Sequence, residues 1–149
     1  LADPVRVRQK IVDRKLYFYV LNTIPAAVEI SIKLNETGKI QEPAKNKVYA
    51  KSKTLHLKLA PYELRTFVSS SDTPQGISGG KVKVDKEWLA DLEKSLTAME
   101  DRAVEKEESF RKRGPYLELA REHWSKKHFC RVYFLLQEGW GEYEATTEK

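Results

Sequence analysis

The stretch Val28-Glu29-Ile30-Ser31-Ile32-Lys33-Leu34 sets an apolar side chain at every second position with a polar one between. Successive side chains of a pleated strand point to opposite faces, so this spacing predicts a strand with one buried and one wet face. Leu55, Leu57 and Leu59 repeat the pattern around Lys58 and His56, which turns His56 away from its leucine neighbours. Leu16 to Leu21 (LYFYVL) is apolar on both faces, as a central sandwich strand would be. Asp13-Arg14, Asn22 to Pro25, Asn35 to Gly38, Lys45-Asn46 and Ala60-Pro61 supply the Asn, Asp, Gly and Pro that tight connections favour. Roughly five to seven short strands at this spacing predict a small antiparallel β-sandwich over residues 1–70.

Beyond it, Ser69 to Gly80 (SSSDTPQGISGG) has no apolar periodicity and reads as a joint, giving a linker over 71–84. Gly79-Gly80-Lys81 does not make a phosphate loop, because Gln75 stands where the motif needs its first glycine and Val82 follows the lysine. Residues 85–149 then read as an antiparallel two-helix hairpin with a polar C-terminal tail, so the expected fold class is α+β. Asp85 is placed to cap the first helix, with Val84 and Leu89 as its hydrophobic staple. Leu89, Leu92, Leu96, Met99, Ala103 and Phe110 form a narrow seam, interrupted by Lys106, while Glu107/Arg111 and Glu108/Lys112 are paired on the solvent side. Gly114 is expected to end this helix and Pro115 to start the next, which runs to about Trp140. Within it His128 to Leu136 (HFCRVYFLL) is apolar nearly all round apart from Arg131, so it should be covered on every side.

Composition narrows the function classes. With 149 residues, 40% hydrophobic and 33% charged, the chain has the profile of a globular protein of one or two small domains and little room for a deep cleft. No apolar run approaches the roughly 20 residues of a bilayer helix, so no membrane partner is expected. The first residue is Leu1 rather than Met, and the reading is of a piece cut from a longer protein. Cys130 is the only cysteine, so no internal disulfide forms and the compartment stays open. A formal charge of +5 raises nucleic-acid binding, yet the excess lies in residues 1–75, with 13 Lys and Arg against 7 Asp and Glu spread singly and no recognition motif. No nucleic-acid partner is expected.

Candidate chemistry is sparse. A glycosidase needs two carboxylates about 5–9.5 Å apart across a sugar-sized cleft, and among Glu29, Glu36, Glu42 and Glu63 no pair stands out. His123 and His128, five apart, would be separated by about 140° on one helix and could not share a metal there. Cys130 sits in the most apolar stretch and reads as a core thiol. No catalytic residue, metal or cofactor is expected. Tyr17, Tyr19 and Tyr49 are the candidate carbohydrate-binding rings if exposed, the alternative being that they cover a sheet face against a neighbouring domain. Trp88, Trp124 and Trp140 fall at helix-packing positions. Phe129, Val132, Tyr133, Leu136 and Trp140 form the candidate interaction surface, for a partner or for a homodimer.

The run Tyr17-Phe18-Tyr19-Val20-Leu21-Asn22-Thr23-Ile24-Pro25, the strand Val28 to Leu34, and the segment Leu55-His56-Leu57-Lys58-Leu59-Ala60-Pro61-Tyr62-Glu63-Leu64-Arg65-Thr66-Phe67 together resemble the β-sandwich that closes many glycoside hydrolases. The resemblance covers about residues 14 to 70, and Pro61-Tyr62-Glu63-Leu64-Arg65 is its sharpest part. It implies a C-terminal accessory region, with a helical tail as in some of those enzymes, that carries no catalytic residue and packs against the parent's catalytic domain. It also leans toward a place outside the cytoplasm. A carbohydrate-binding module and a protein-interaction module stay open beside it.

Overall fold

A computed structural model describes residues 3–70, 74–104 and 114–147, with side chains described to residue 102 in the second range and to residue 138 in the third. The fold is α+β, and the chain divides into two compact units, Leu1–Asp85 and Lys86–Lys149.

Unit 1 holds β1 (Val5–Val12), β2 (Lys15–Asn22), β3 (Val28–Glu42), β4 (Lys47–Leu59), β5 (Leu64–Ser70) and β6 (Ile77–Val84), with a single 3-10 turn at Pro43–Lys45. All pair antiparallel in one six-stranded sheet, ordered β1-β2-β5-β3-β4 with β6 also on β3. The antiparallel strands expected are present, and hydrogen bonds link all six into one continuous sheet. The cause is the length of β3. Its first half pairs with β4 and β6, Ile30 opposite Leu57 and Val82, and its second half pairs with β4 and β5, Gln41 opposite Val48 and Val68. Between them the register slips around Gly38, where an irregularity lets the strand change neighbours. Asn35 to Gly38 is therefore a break inside a strand rather than the expected turn.

The period-two reading of the core holds: Val28, Ile30, Ile32 and Leu34 are at most 4% exposed, and Leu55, Leu57 and Leu59 are buried beside them in register. Along β2 Leu16, Phe18, Val20 and Asn22 are buried, whereas Tyr17 and Tyr19 leave the other face open. Phe18 stacks on Phe67 of β5 with ring centres 5.0 Å apart. Asp13 and Arg14, both at positive φ, close the β1–β2 hairpin in the two-residue geometry that matches strand twist. Residues 77–84, expected as linker, are β6, whose alternating Val82 and Val84 add a strand along β3.

Unit 2 holds α1 (Lys86–Val104), α2 (Gly114–Ser125) and α3 (Phe129–Thr147). Leu92, Leu96 and Met99 of α1 meet Leu117 and Ala120 of α2 and Val132 and Leu136 of α3 in one core. The expected second helix is broken in two, so the hairpin becomes three helices among the described residues. At the break Lys127 takes a left-handed conformation (φ 58°), the Lys127 N–H bonds the Trp124 carbonyl at 2.9 Å, and the His128 N–H bonds the His123 carbonyl at 2.9 Å. That is the pattern by which a left-handed residue ends a helix. The all-round apolar stretch is consequently not covered on all sides: Phe134 is 48% exposed and Arg131 faces water. Gly114 begins α2 rather than ending α1, and the polar tail is helical through Thr147. The positions assigned to Lys106, Phe110 and the Glu107/Arg111 and Glu108/Lys112 pairs lie outside the described residues.

Candidate functional site

Two places in unit 1 gather chemically distinctive side chains, on opposite faces of the sheet. On the outer face Tyr17 and Tyr19 are 45% and 37% exposed. Lys10 of β1 and Val68 of β5 flank Tyr17 in register, and Arg8 and Thr66 flank Tyr19. A shallow groove of about 320 Å³ runs over Tyr17, Tyr19, Arg8, Lys10 and Thr66. Tyr49 does not join them. It lies opposite Ile40, whose side chain is buried, and its ring meets Phe67 edge-on at 6.0 Å. The three tyrosines are thus split between two faces and make no single site.

The inner face carries a buried ionic cluster that pattern reading missed. Glu42, at the end of β3, is 1% exposed and receives Arg65 Nε at 2.8 Å and Nη2 at 2.5 Å. Tyr49 donates its hydroxyl to Glu42 Oε2 at 2.7 Å, and Arg65 donates to the Tyr49 oxygen at 2.6 Å. Lys45 Nζ stands 3.7 Å from Glu42 and donates to Glu63 at 2.7 Å, while the other Glu63 oxygen accepts the Ala60 N–H. The Arg65 hydrogen bonds hold the Glu42 carboxyl at about 2, outweighing burial, which pushes it up. Burial also raises Glu63, yet Lys45 and the Ala60 N–H bring it below the usual range on balance. Burial, reinforced by the Glu42 carboxylate, raises the Tyr49 hydroxyl, and the bond to Glu42 raises Arg65.

This geometry explains the segment that reads most sharply in the sequence. Glu63 closes the Ala60-to-Glu63 turn, and Arg65 reaches across the sheet to Glu42. Asn22 plays a matching part in the Asn-Thr-Ile-Pro turn. Fully buried, it donates to the carbonyls of Ala26 (2.7 Å) and Ala60 (2.8 Å) and accepts from the Ile24 N–H, tying two loops together. Sequence spacing could not reveal the cluster, because the sheet brings together residues as far apart as Glu42 and Arg65. The cations beside Tyr17 and Tyr19 were readable: counting outward from a two-residue turn at Asp13-Arg14 pairs Lys10 with Tyr17 and Arg8 with Tyr19.

Glu42 and Glu63 share Lys45, but both are pulled toward the ionised form. A general acid needs the opposite shift. Glu29 pairs with Lys83 at 3.1 Å, and Glu36 accepts the Gln75 N–H at 3.0 Å.

In unit 2, Val132 and Leu136, expected on an interaction surface, are at most 3% exposed and belong to the core. Phe129 and Tyr133 are half-buried at its rim, against Trp124 and Trp88 respectively. Trp140 lies in α3, with its side chain outside the described residues. Cys130 is buried and outside any disulfide. His123 and His128 do come together, contrary to the single-helix reading, because the break at Lys127 brings their Nδ1 atoms within 3.2 Å. Among the described residues no group of three or more His, Cys, Asp or Glu gathers for a metal, and no helix is long and apolar enough to cross a membrane.

No family model matches the chain. No curated protein matches it. Solved structures similar to parts of it include three glycosidase-related proteins. One is α-galactosidase I from Mortierella vinacea, at 11% identity over 50% of this chain and 23% of that one, TM-score 0.43. The others are two Bacteroides fragilis proteins, one provisionally designated an α-galactosidase (16% identity, 48% of this chain, 17% of that one, TM-score 0.43) and one an α-galactosidase/melibiase (21%, 47%, 16%, 0.42). The chain thus spans less than a quarter of each.

Proposed function

We propose that this chain is a non-catalytic accessory region of a glycoside hydrolase, packing against and stabilising the catalytic domain of its parent protein. The observation that carries this reading is the use made of the carboxylates: Glu42 and Glu63 are committed to Arg65, Lys45 and a backbone N–H, and held ionised. A carboxylate locked this way can neither deliver a proton to a leaving group nor meet a sugar carbon. Val48, Tyr62 and Leu64, each more than half exposed, offer apolar area for contact with a neighbouring domain. The test is a panel of chromogenic glycosides offered to the chain alone. No turnover above buffer is expected. Turnover that a single Glu→Gln change abolishes would sink the reading.

A second reading, carbohydrate binding, is favoured by Tyr17 and Tyr19, whose exposed rings on one strand suit stacking against pyranose faces. Retention on an insoluble polysaccharide that Tyr17→Thr and Tyr19→Thr weaken supports it; passage through every polysaccharide tested counts against it.

A further inference from the structure

We infer that the outer face of β1, β2 and β5 is a binding face for an acidic polysaccharide, one bearing carboxylate or sulfate groups. This deepens, and rests on, the carbohydrate reading of Tyr17 and Tyr19. Side chains two apart on a strand stand about 6.8 Å apart on one face. The β1 row facing outward is Arg6, Arg8 and Lys10, and the β2 row beside it begins with Lys15 and continues through the two tyrosines. Each cation is exposed, none has an ion-pair partner among the described residues, and no carboxylate stands in the outward rows of the three strands. Four like charges left unpaired around two exposed rings repel one another in the free protein, and an anionic ligand relieves that repulsion.

The distribution across the face selects the kind of anion. Cations lie on the β1 side and at the hairpin end, whereas the β5 row next to the tyrosines is Leu64, Thr66, Val68 and Ser70, without charge. Nucleic acid brings one phosphate with every base and calls for a basic track along its path. A face charged on one side and apolar or hydroxylated on the other suits a sugar ring, with its C–H face on a tyrosine, hydroxyls toward Thr66, and an occasional carboxylate or sulfate toward Arg8 or Lys10. The groove of about 320 Å³ is at the small end of ligand sites, enough for a short stretch of such a chain.

The experiment measures binding of the 149-residue chain to polygalacturonate, to a neutral galactan and to single-stranded oligothymidylate, at low and high salt. Polygalacturonate is expected to bind best and to weaken as salt rises. Two double variants, Tyr17→Thr with Tyr19→Thr and Arg8→Glu with Lys10→Glu, are each expected to lose about tenfold in affinity while the thermal midpoint holds. Equal binding of the neutral galactan, with the charge reversal harmless, overturns the acidic ligand and leaves the carbohydrate reading standing. Tighter binding of the oligothymidylate overturns both in favour of nucleic acid. Absence of binding to all three also overturns both, while the accessory role stands or falls on the turnover assay. Should a variant fail to fold, the salt dependence and ligand ranking of the unaltered chain decide the matter.

Discussion

The sheet unit and the helical unit solve the same problem, fixing one arrangement of a small core, with different materials. The sheet unit buries charge and amide. Glu42, Arg65 and Asn22 are at most 9% exposed, and each has a hydrogen-bond partner distant in sequence. Among the described residues the helical unit buries one polar side chain, His123, and keeps its ion pairs at the surface, where Arg121 holds Glu100 and Lys126 holds Glu122. The difference follows from geometry. Helices from adjacent parts of the chain are registered by apolar spacing alone, whereas a long strand with changing neighbours can slip, and a buried ion pair with directional bonds penalises every wrong register.

The comparison is broken most severely at Arg65. Replacing it with Ala strands a buried carboxylate and is expected to destabilise the sheet unit by about 3–5 kcal/mol in urea unfolding. A loss below about 1 kcal/mol means the pair is not holding the sheet. The counterpart in the helical unit is Leu96→Ala, which empties a fully buried site among three helices and should cost about 2–4 kcal/mol, read from helical ellipticity. Acid separates the units next. Glu42 falls from an ordinary 4.5 to about 2 on folding, so its contribution is complete above about pH 4.5 and is lost as pH drops toward 2. That loss is on the order of 3 kcal/mol, and Glu42→Gln should flatten it. The smallest effect sharpens the helix break: Lys127→Gly removes a side chain from a left-handed position and should stabilise the helical unit by about 0.5–1 kcal/mol, visible as a small rise in its thermal midpoint.

What was legible in the sequence divides along the same line. Period-two spacing identifies the buried rows of β3 and β4, because alternation is a local property of a strand, whereas β2 reads as apolar on both faces until its tyrosines prove exposed. It does not reveal that β3 runs on through Asn35 to Gly38, since a polar stretch ending in glycine looks the same whether it closes a turn or breaks a strand's register. Gly79 and Gly80 hide β6 in the same way, although Val82 and Val84 alternate. The helix break escapes because Ser125-Lys126-Lys127-His128 contains neither glycine nor proline, and a lysine adopts the left-handed conformation that glycine usually takes. The ionic cluster lies furthest from view. Glu42, Tyr49 and Arg65 are unremarkable singly and become a unit only when β3, β4 and β5 are side by side.

The claim that the carboxylates of this chain serve its architecture is tested most directly by titrating the Glu42 side-chain carboxyl by carbon NMR. An inflection near 2 is expected, the mark of a carboxylate locked to Arg65. An inflection above the ordinary 4.5 would contradict the account, because a carboxyl that keeps its proton so far up the scale is free to act as an acid.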